Sequence, residues 1–347
     1  MADLGHVGKR MSLKLSTLGE TGFIEMIKRQ RKGKPSLLHT GIGDDAAVIR
    51  RPNGYTLFST DMMVEGTHFT LKTSSWEDIG WKAVASCGSD MAAMGGSAKW
   101  ICLSLGVPPS AKIQDLRRLY RGIRLCADRL GAMVVGGDTV KSHHVVLDVA
   151  MIGEAPYSPK LRSTARVGDF VMVSGTLGEA SLGWRLIRRG RVAWLPGAVR
   201  RFRRPVLRTE VGKSLGTMPE VRAMTDISDG LAMDLSHLCK ASGVGVEVDE
   251  CLLPVSESVR RTARRLGISW KHLVYGGGED YELLWTCPPG AVNKIRKAIK
   301  SKGCRATVIG KIIRASQGLN IFVGSVHSPR FAGVAGRPLL SNGYCHF

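Results

Sequence analysis

Two hydrophobic periodicities alternate along this chain, and their alternation confines it to mixed α/β architectures. Residues 55–60 and 100–107 read as strands, and between them Ile79, Ala83, Val84, Cys87 and Met91 recur at the spacing of one helix face. Leu116, Leu119, Tyr120, Ile123, Ala127 and Leu130 define a second amphipathic helix, which Gly131 stops. Strands over 133–135 and 145–152 follow. The segment Ala155-Pro156-Tyr157-Ser158-Pro159 then makes a rigid, non-helical break. Beyond it, strands at 170–174, up to Ile227, at 244–248, 281–286 and 307–313 alternate with helices. Those helices start after Gly178, carry Leu231, Leu235 and Leu238, and span 255–266 and 292–302. The expected division is an N-terminal extension of residues 1–17, an α/β domain over 18–154 and a second α/β domain over 160–347.

Six acidic clusters, nearly all bracketed by glycine, serine or threonine, fall at predicted strand ends and turns. They are Gly41-Ile42-Gly43-Asp44-Asp45, Ser59-Thr60-Asp61, Ser89-Asp90, Gly136-Gly137-Asp138-Thr139, Asp226-Ile227-Ser228-Asp229-Gly230 and Gly276-Gly277-Gly278-Glu279-Asp280. Carboxylates on turns are hard oxygen ligands of the kind Mg²⁺ takes when it is shared with substrate phosphates. Flanking glycines let the backbone approach a ligand and offer N–H groups to phosphate oxygens. Metal-dependent phosphoryl chemistry is the first hypothesis.

Composition narrows the class further. A formal net charge of +21 suggests attraction to anions, and the arginines concentrate between Arg185 and Arg208. Aromatics are only 6% and no stacking motif accompanies the arginines, so a solvated basic face is preferred to a nucleic-acid surface. No apolar stretch approaches the ~20 residues needed to span a bilayer. The first fifteen residues lack the apolar core of a signal peptide, and Met11 offers an alternative start. Eight cysteines without a C-x-x-C pair fit reduced, mostly buried thiols and a cytosolic location.

Simpler readings compete at several positions. Gly212-Lys213-Ser214 imitates the end of a phosphate-binding loop, but Leu207 stands where its first glycine belongs, so a helix-end glycine is the preferred reading. Gly41-x-Gly43-x-x-Ala46 fits a dinucleotide fingerprint on paper, yet Arg51-Pro52-Asn53-Gly54 is a turn where a helix is required. Asp229-Gly230, taken alone, reads as a helix cap. Asp90 sits amid Met91, Ala92, Ala93 and Met94, where a buried carboxylate needs a metal or a backbone partner. Asp44 and Asp45 repel each other unless cations intervene.

Taken in order, these motifs resemble the thiamine-monophosphate kinase family, of the aminoimidazole-ribonucleotide synthetase and selenophosphate synthetase superfamily. The likeness is carried by Gly41–Ala47, Ser59-Thr60-Asp61 with Glu65–Phe69, Ser89–Gly95, Gly136–Thr139, Thr225–Leu231, Gly277–Leu283 and the closing Gly343–Phe347. The resemblance implies a two-domain PurM-like α/β (α+β mixed) fold, its N-terminal sheet forming a barrel across a homodimer and its C-terminal domain an α/β sandwich. It implies ATP-dependent phosphorylation of thiamine monophosphate to thiamine diphosphate. It further implies that Asp45, Ser59, Thr60, Asp61, Asp90, Asp138 and Asp226 hold several Mg²⁺ ions, with Asp229 at a further site. Gly137, Asp138, Arg162 and Ser228 match ATP-contacting positions, while His68, Glu279 and Tyr344 match the thiamine end. Asp138, Arg162 and Asp226 are the implied catalytic set. The chain departs from the family's usual pattern at Ser86-Cys87-Gly88, where an asparagine-containing stretch is common, and at Cys345, where aspartate is usual.

The residues agree with that chemistry. Phosphoryl transfer between polyanions needs positioning and charge neutralisation more than covalent steps. A phosphate monoester with a second pKa of ~6 is largely dianionic at neutral pH, so no general base is required and direct in-line transfer is expected. His68 is then a substrate-orienting donor. Asp44 and Asp280 take supporting roles. The rivals are another enzyme of the superfamily, acting on formylglycinamidine ribonucleotide or selenide, and a non-catalytic nucleotide- or nucleic-acid-binding protein.

Overall fold

The structure, a computed structural model, describes residues 14–30, 33, 35–322 and 337–338. Two units separate: residues 1–35 with 345–347, and residues 36–344. In the first, α1 (Leu15–Gln30) is broken at Gly19, whose φ of 68° leaves the right-handed helical region.

The larger unit begins with β1 (Leu38–Thr40), β2 (Ala47–Arg51) and β3 (Gly54–Val64). Next come α2 (Trp76–Ala93), β4 (Ser97–Val107), α3 (Ile113–Leu130), β5 (Met133–Lys141) and β6 (Val146–Ala155). Their sheet has the order β1-β2-β3-β6-β4-β5, mostly antiparallel, with β4 and β5 parallel. The chain continues through β7 (Phe170–Ser174), α4 (Glu179–Arg188), α5 (Pro196–Arg203), α6 (Thr209–Gly216), β8 (Met224–Asp226), α7 (Leu231–Ser242) and β9 (Val244–Asp249). It ends in α8 (Glu257–Arg265), α9 (Trp270–Tyr275), β10 (Leu283–Cys287), α10 (Val292–Lys300), β11 (Ala306–Arg314), β12 (Leu319–Phe322) and β13 (Arg337–Pro338). The second sheet is ordered β13-β12-β9-β11-β7-β10-β8. This is the expected mixed α/β PurM-like fold, and in the single chain the first sheet is open rather than a closed barrel.

Helix α2 organises the molecule. Ser75 caps it by accepting from the Asp78 N–H at 3.1 Å, and Glu77 and Asp78 complement its positive end. The apolar stripe read from the sequence is fully buried. Gly80 lies against the Leu119 carbonyl and Gly122 against that of Glu77, where an added Cβ would come within 2.1 and 1.9 Å, so α2 and α3 meet backbone to backbone. At its other end Ala92 and Ala93 pack with Val211, Leu215, Met224 and Trp285 of the second half. Gly212 is not at a helix end: it lies inside α6, and its Cβ would come within 2.3 Å of the Ala92 carbonyl oxygen. A side chain there would push α6 off α2.

Two strands differ from expectation for backbone reasons. β5 runs on to Lys141 because the Gly136-Gly137-Asp138-Thr139 segment, read as a turn, pairs in parallel with β4. Gly137 permits this, since any Cβ would lie 2.0 Å from the Leu103 carbonyl oxygen. β10 starts only at Leu283, because Glu279 and Tyr281 take left-handed φ values of 61° and 49°. The outer face of the first sheet carries a cross-strand row, Phe58–Ile152–Trp100–Met133, in which all four side chains are exposed.

Candidate active site

Four separate elements converge on one group of acids. The turn before β2 supplies Asp45, β3 supplies Ser59 and Asp61, the last turn of α2 supplies Asp90, and the end of β8 supplies Asp226. Oxygens of Asp45, Asp90 and Asp226 all lie within 4.8 Å of one another. Ser59 Oγ donates to Asp90 and sits 3.1 Å from the Asp45 carbonyl oxygen. Ser89 Oγ donates to Asp226 at 2.5 Å. Arg162 is the cationic edge of the group: its guanidinium bonds Asp45, its Nε bonds Thr225 Oγ1 at 3.1 Å, and its backbone N–H reaches Asp44 at 3.2 Å.

Electrostatics sharpen the chemistry of this cluster. Burial, and then the neighbouring charge of Asp45, raise Asp226 to about 7. Burial and the charges of Asp61, Asp226 and Asp45 push Asp90 well above the carboxylate range. Burial also raises Asp61, reinforced by Asp148 and opposed by a bond from Ser86. Two like charges 4.8 Å apart repel by about 3–4 kcal/mol at an effective dielectric of 20. Three such pairs approach the ~5–15 kcal/mol that holds a whole domain folded. The donor set fits a hard divalent cation, which would let these acids ionise together. Asp45 strengthens the fit, since its Oδ2 is buried with no hydrogen-bond partner among the described residues.

A second group lies close by in sequence. Asp229, Asp234 and His237 place ligand atoms within 4.8 Å of one another. Gly230 is the residue that directly precedes α7, and the Asp229 backbone N–H donates to Asp234 at 3.2 Å. Asp234 and His237 went unnoticed in the sequence, although their i, i+3 spacing on one helix face was the available signal.

The residues assigned to the thiamine end are held from α2. Lys82 Nζ pairs with Glu279 Oε1 at 2.5 Å and reaches the His68 carbonyl oxygen at 3.3 Å. His68 Nδ1 accepts from the Val64 N–H at 3.0 Å. The Glu279 N–H donates to the Ser228 carbonyl at 2.7 Å, joining this loop to the segment carrying Asp226. Asp280 accepts from the N–H groups of Gly178 and Ala180, at 2.7 and 3.3 Å, and so anchors the loop on α4.

Thr60 and Asp138 are placed differently. Strand alternation turns Thr60 away from α2, and its hydroxyl donates to Asp148 at 2.7 Å. Asp138 is exposed on the edge strand β5, in register with Ser104 and, through it, with Asp148. Neither joins the buried group within one chain. Asp148 was also missed, though it is the single acid in the otherwise apolar strand at 145–152. Tyr344 lies outside the described residues.

The arginine belt divides: Arg185, Arg188, Arg189, Arg191 and Arg200 are exposed, as the solvated-face reading has it, whereas Arg201, Arg203, Arg204 and Arg208 are half-buried against the protein itself. Arg201 and Arg208 both bond the fully buried Glu282. Arg204 pairs with Glu77 and Asp78, Arg203 bonds the Thr73 carbonyl, and Arg189 bonds that of Leu266. Arg188 covers the Trp184 ring and Arg191 that of Trp194.

Comparison with known proteins bears on the fold and the family. Residues 43–155 match the family model of AIR synthase related protein, N-terminal domain, and residues 166–320 match that of its C-terminal domain. The thiamine-monophosphate kinase of Aquifex aeolicus is 34% identical over 80% of this chain and 88% of its own length. That of Haemophilus influenzae is 33% identical over 95% of this chain and 98% of its own. A solved structure of AaThiL complexed with AMPPCP and TMP superposes with a TM-score of 0.83 at 30% identity, covering 97% of this chain and all (100%) of that one.

Proposed function

Because this chain belongs to the thiamine-monophosphate kinase family of AIR synthase-related proteins, we propose that its buried acids hold Mg²⁺ for transfer of the ATP γ-phosphoryl. The activity is ATP-dependent phosphorylation of thiamine monophosphate to thiamine diphosphate. The observation that carries the site assignment is the convergence of Asp45, Asp90 and Asp226 to within 4.8 Å. Asp45, Ser59, Thr60, Asp61, Asp90, Asp138 and Asp226 would hold the ions, and Asp229 belongs to a further site. When bound, Mg²⁺ supplies charge neutralisation between the two polyanions.

The remaining work falls to the chain's own groups. Gly137, Asp138, Arg162 and Ser228 contact ATP, with Arg162 stabilising the transferring group. His68, Glu279 and Tyr344 contact the thiamine end. The dianionic acceptor attacks directly, in line and without a phosphoenzyme or general base.

A homodimer fits the exposed row Phe58–Ile152–Trp100–Met133, which joining the two N-terminal sheets into a barrel would cover. Asp138 and Thr60 lie on that sheet face, so their contacts with nucleotide and metal are made at the shared surface. Free, buried thiols at Cys87, Cys126, Cys239, Cys287 and Cys304 support a reducing compartment, and we place the enzyme in the cytosol.

The reading is tested by Asp138→Asn, a near-isosteric substitution outside the core of the single chain. Turnover should fall on the order of a hundredfold or more, with an unchanged melting temperature. Near-normal turnover contradicts the assignment, as a monomeric mass in solution scattering contradicts the dimer.

A further inference from the structure

Lys82 is 3% exposed, and no other lysine among the described residues is buried. Its ammonium is used on three sides. It pairs with Glu279 Oε1 at 2.5 Å, donates to the His68 carbonyl oxygen at 3.3 Å and lies 3.8 Å from the centroid of the Phe202 ring. A buried charge kept on an apolar helix is costly unless every donor is satisfied, and here each direction has a partner. Two of those partners belong to the very residues, His68 and Glu279, assigned to the thiamine end.

The helix adds a second relationship. Lys82, Ser86 and Ser89 recur at i, i+4 and i+7 and so form one polar stripe along the buried helix α2. At one end of the stripe Lys82 meets Glu279, and at the other Ser89 bonds Asp226. Seven residues of helix span about 10.5 Å. One rigid element therefore fixes the thiamine end at one point and the carboxylate cluster at another. Glu279 needs such a brace, because its φ of 61° is a left-handed conformation that a non-glycine residue keeps only under constraint.

We infer that Lys82 is a positioning residue for the acceptor: acting through the Glu279 carboxylate and the His68 carbonyl, it sets the distance between the thiamine-contacting groups and the metal-binding acids. This rests on the kinase reading given above. It assigns Lys82 no contact with substrate and no proton to transfer.

The test is steady-state kinetics on the full-length enzyme with Mg²⁺-ATP and thiamine monophosphate, comparing Lys82→Met, Glu279→Gln and the double variant. Lys82→Met should raise KM for thiamine monophosphate on the order of 10- to 100-fold, the range found when a supporting partner of a binding group is removed. KM for ATP should stay within twofold. The double variant should be no worse than the worse single one, because Lys82 acts through Glu279. A lost structural brace alone would move both KM values together, or add to Glu279→Gln, and either result overturns the inference, as does an unchanged KM. Should Lys82→Met fail to fold, Phe202→Leu removes one wall of the cage without touching either charge. It should raise the same KM several-fold, and no selective rise there overturns the inference. Wild-type enzyme is the separate control: if thiamine monophosphate does not stimulate its ADP release, the kinase reading itself fails, whatever Lys82 does.

Discussion

Ser89 on α2 donates to Asp226 at the end of β8 across 2.5 Å and 137 residues of sequence. That bond joins a helix packed on the first sheet to a strand of the second, and it aims one oxygen of a buried carboxylate. A ligand oriented in this way depends on its donor nearly as much as on its own charge.

Ser89→Ala should therefore raise the Mg²⁺ concentration for half-maximal activity about tenfold or more. Among the described residues the hydroxyl makes no other hydrogen bond, and its loss leaves little void, so circular dichroism and the melting temperature should barely change. An unchanged Mg²⁺ requirement would contradict the role given to this bond.

Glu282 has a fully buried side chain, bonded by Arg208 Nε and Nη2 at 2.6 Å each and by Arg201 Nη2 at 2.8 Å. Burial opposes its charge, but the Arg208 bonds and charge, with help from Arg201, win and hold its pKa below the ordinary 4.5. A depressed folded-state pKa contributes stability above the unfolded value, lost as pH falls through the folded one. Resistance of wild type to urea unfolding should fall steeply below about pH 4.5, and Glu282→Gln should flatten that slope. Arg208→Met, which leaves the acid under-neutralised, should cost roughly 3–5 kcal/mol at neutral pH.

Gly212→Ala should destabilise by about 1–3 kcal/mol, because the new methyl meets the Ala92 carbonyl oxygen and overpacks the α2–α6 contact. Gly197→Ala in α5 is the matched control, with nothing within 4 Å of the added Cβ. It should be neutral or stabilising by up to ~1 kcal/mol. Equal melting temperatures for the two variants would refute the close approach.

What the sequence revealed and what it withheld divide along physical lines. Helix α3 and strand β7 could be read because hydrophobic period and a terminating glycine are local signals. The acids were conspicuous because carboxylates beside glycine are unusual in so basic a chain. The length of β5 was hidden, since two glycines that read as a turn are there to bring two strand backbones together. Lys82 was hidden as well: a lysine on an amphipathic helix reads as solvent-facing until its partners, 197 residues away at Glu279 and across the loop at His68, are placed beside it. Arg201 and Arg204 were hidden in the same way, because Glu282, Glu77 and Asp78 become their neighbours only after folding.

If the buried acids serve phosphoryl transfer from ATP to thiamine monophosphate, ADP release reports it most directly. Wild-type enzyme with Mg²⁺-ATP would be assayed with thiamine monophosphate, with formylglycinamidine ribonucleotide and with no acceptor, beside Asp226→Asn. Release should be stimulated by thiamine monophosphate alone, with equimolar thiamine diphosphate formed, and should collapse in the variant. Equal release in all three arms, or full activity in Asp226→Asn, would contradict it.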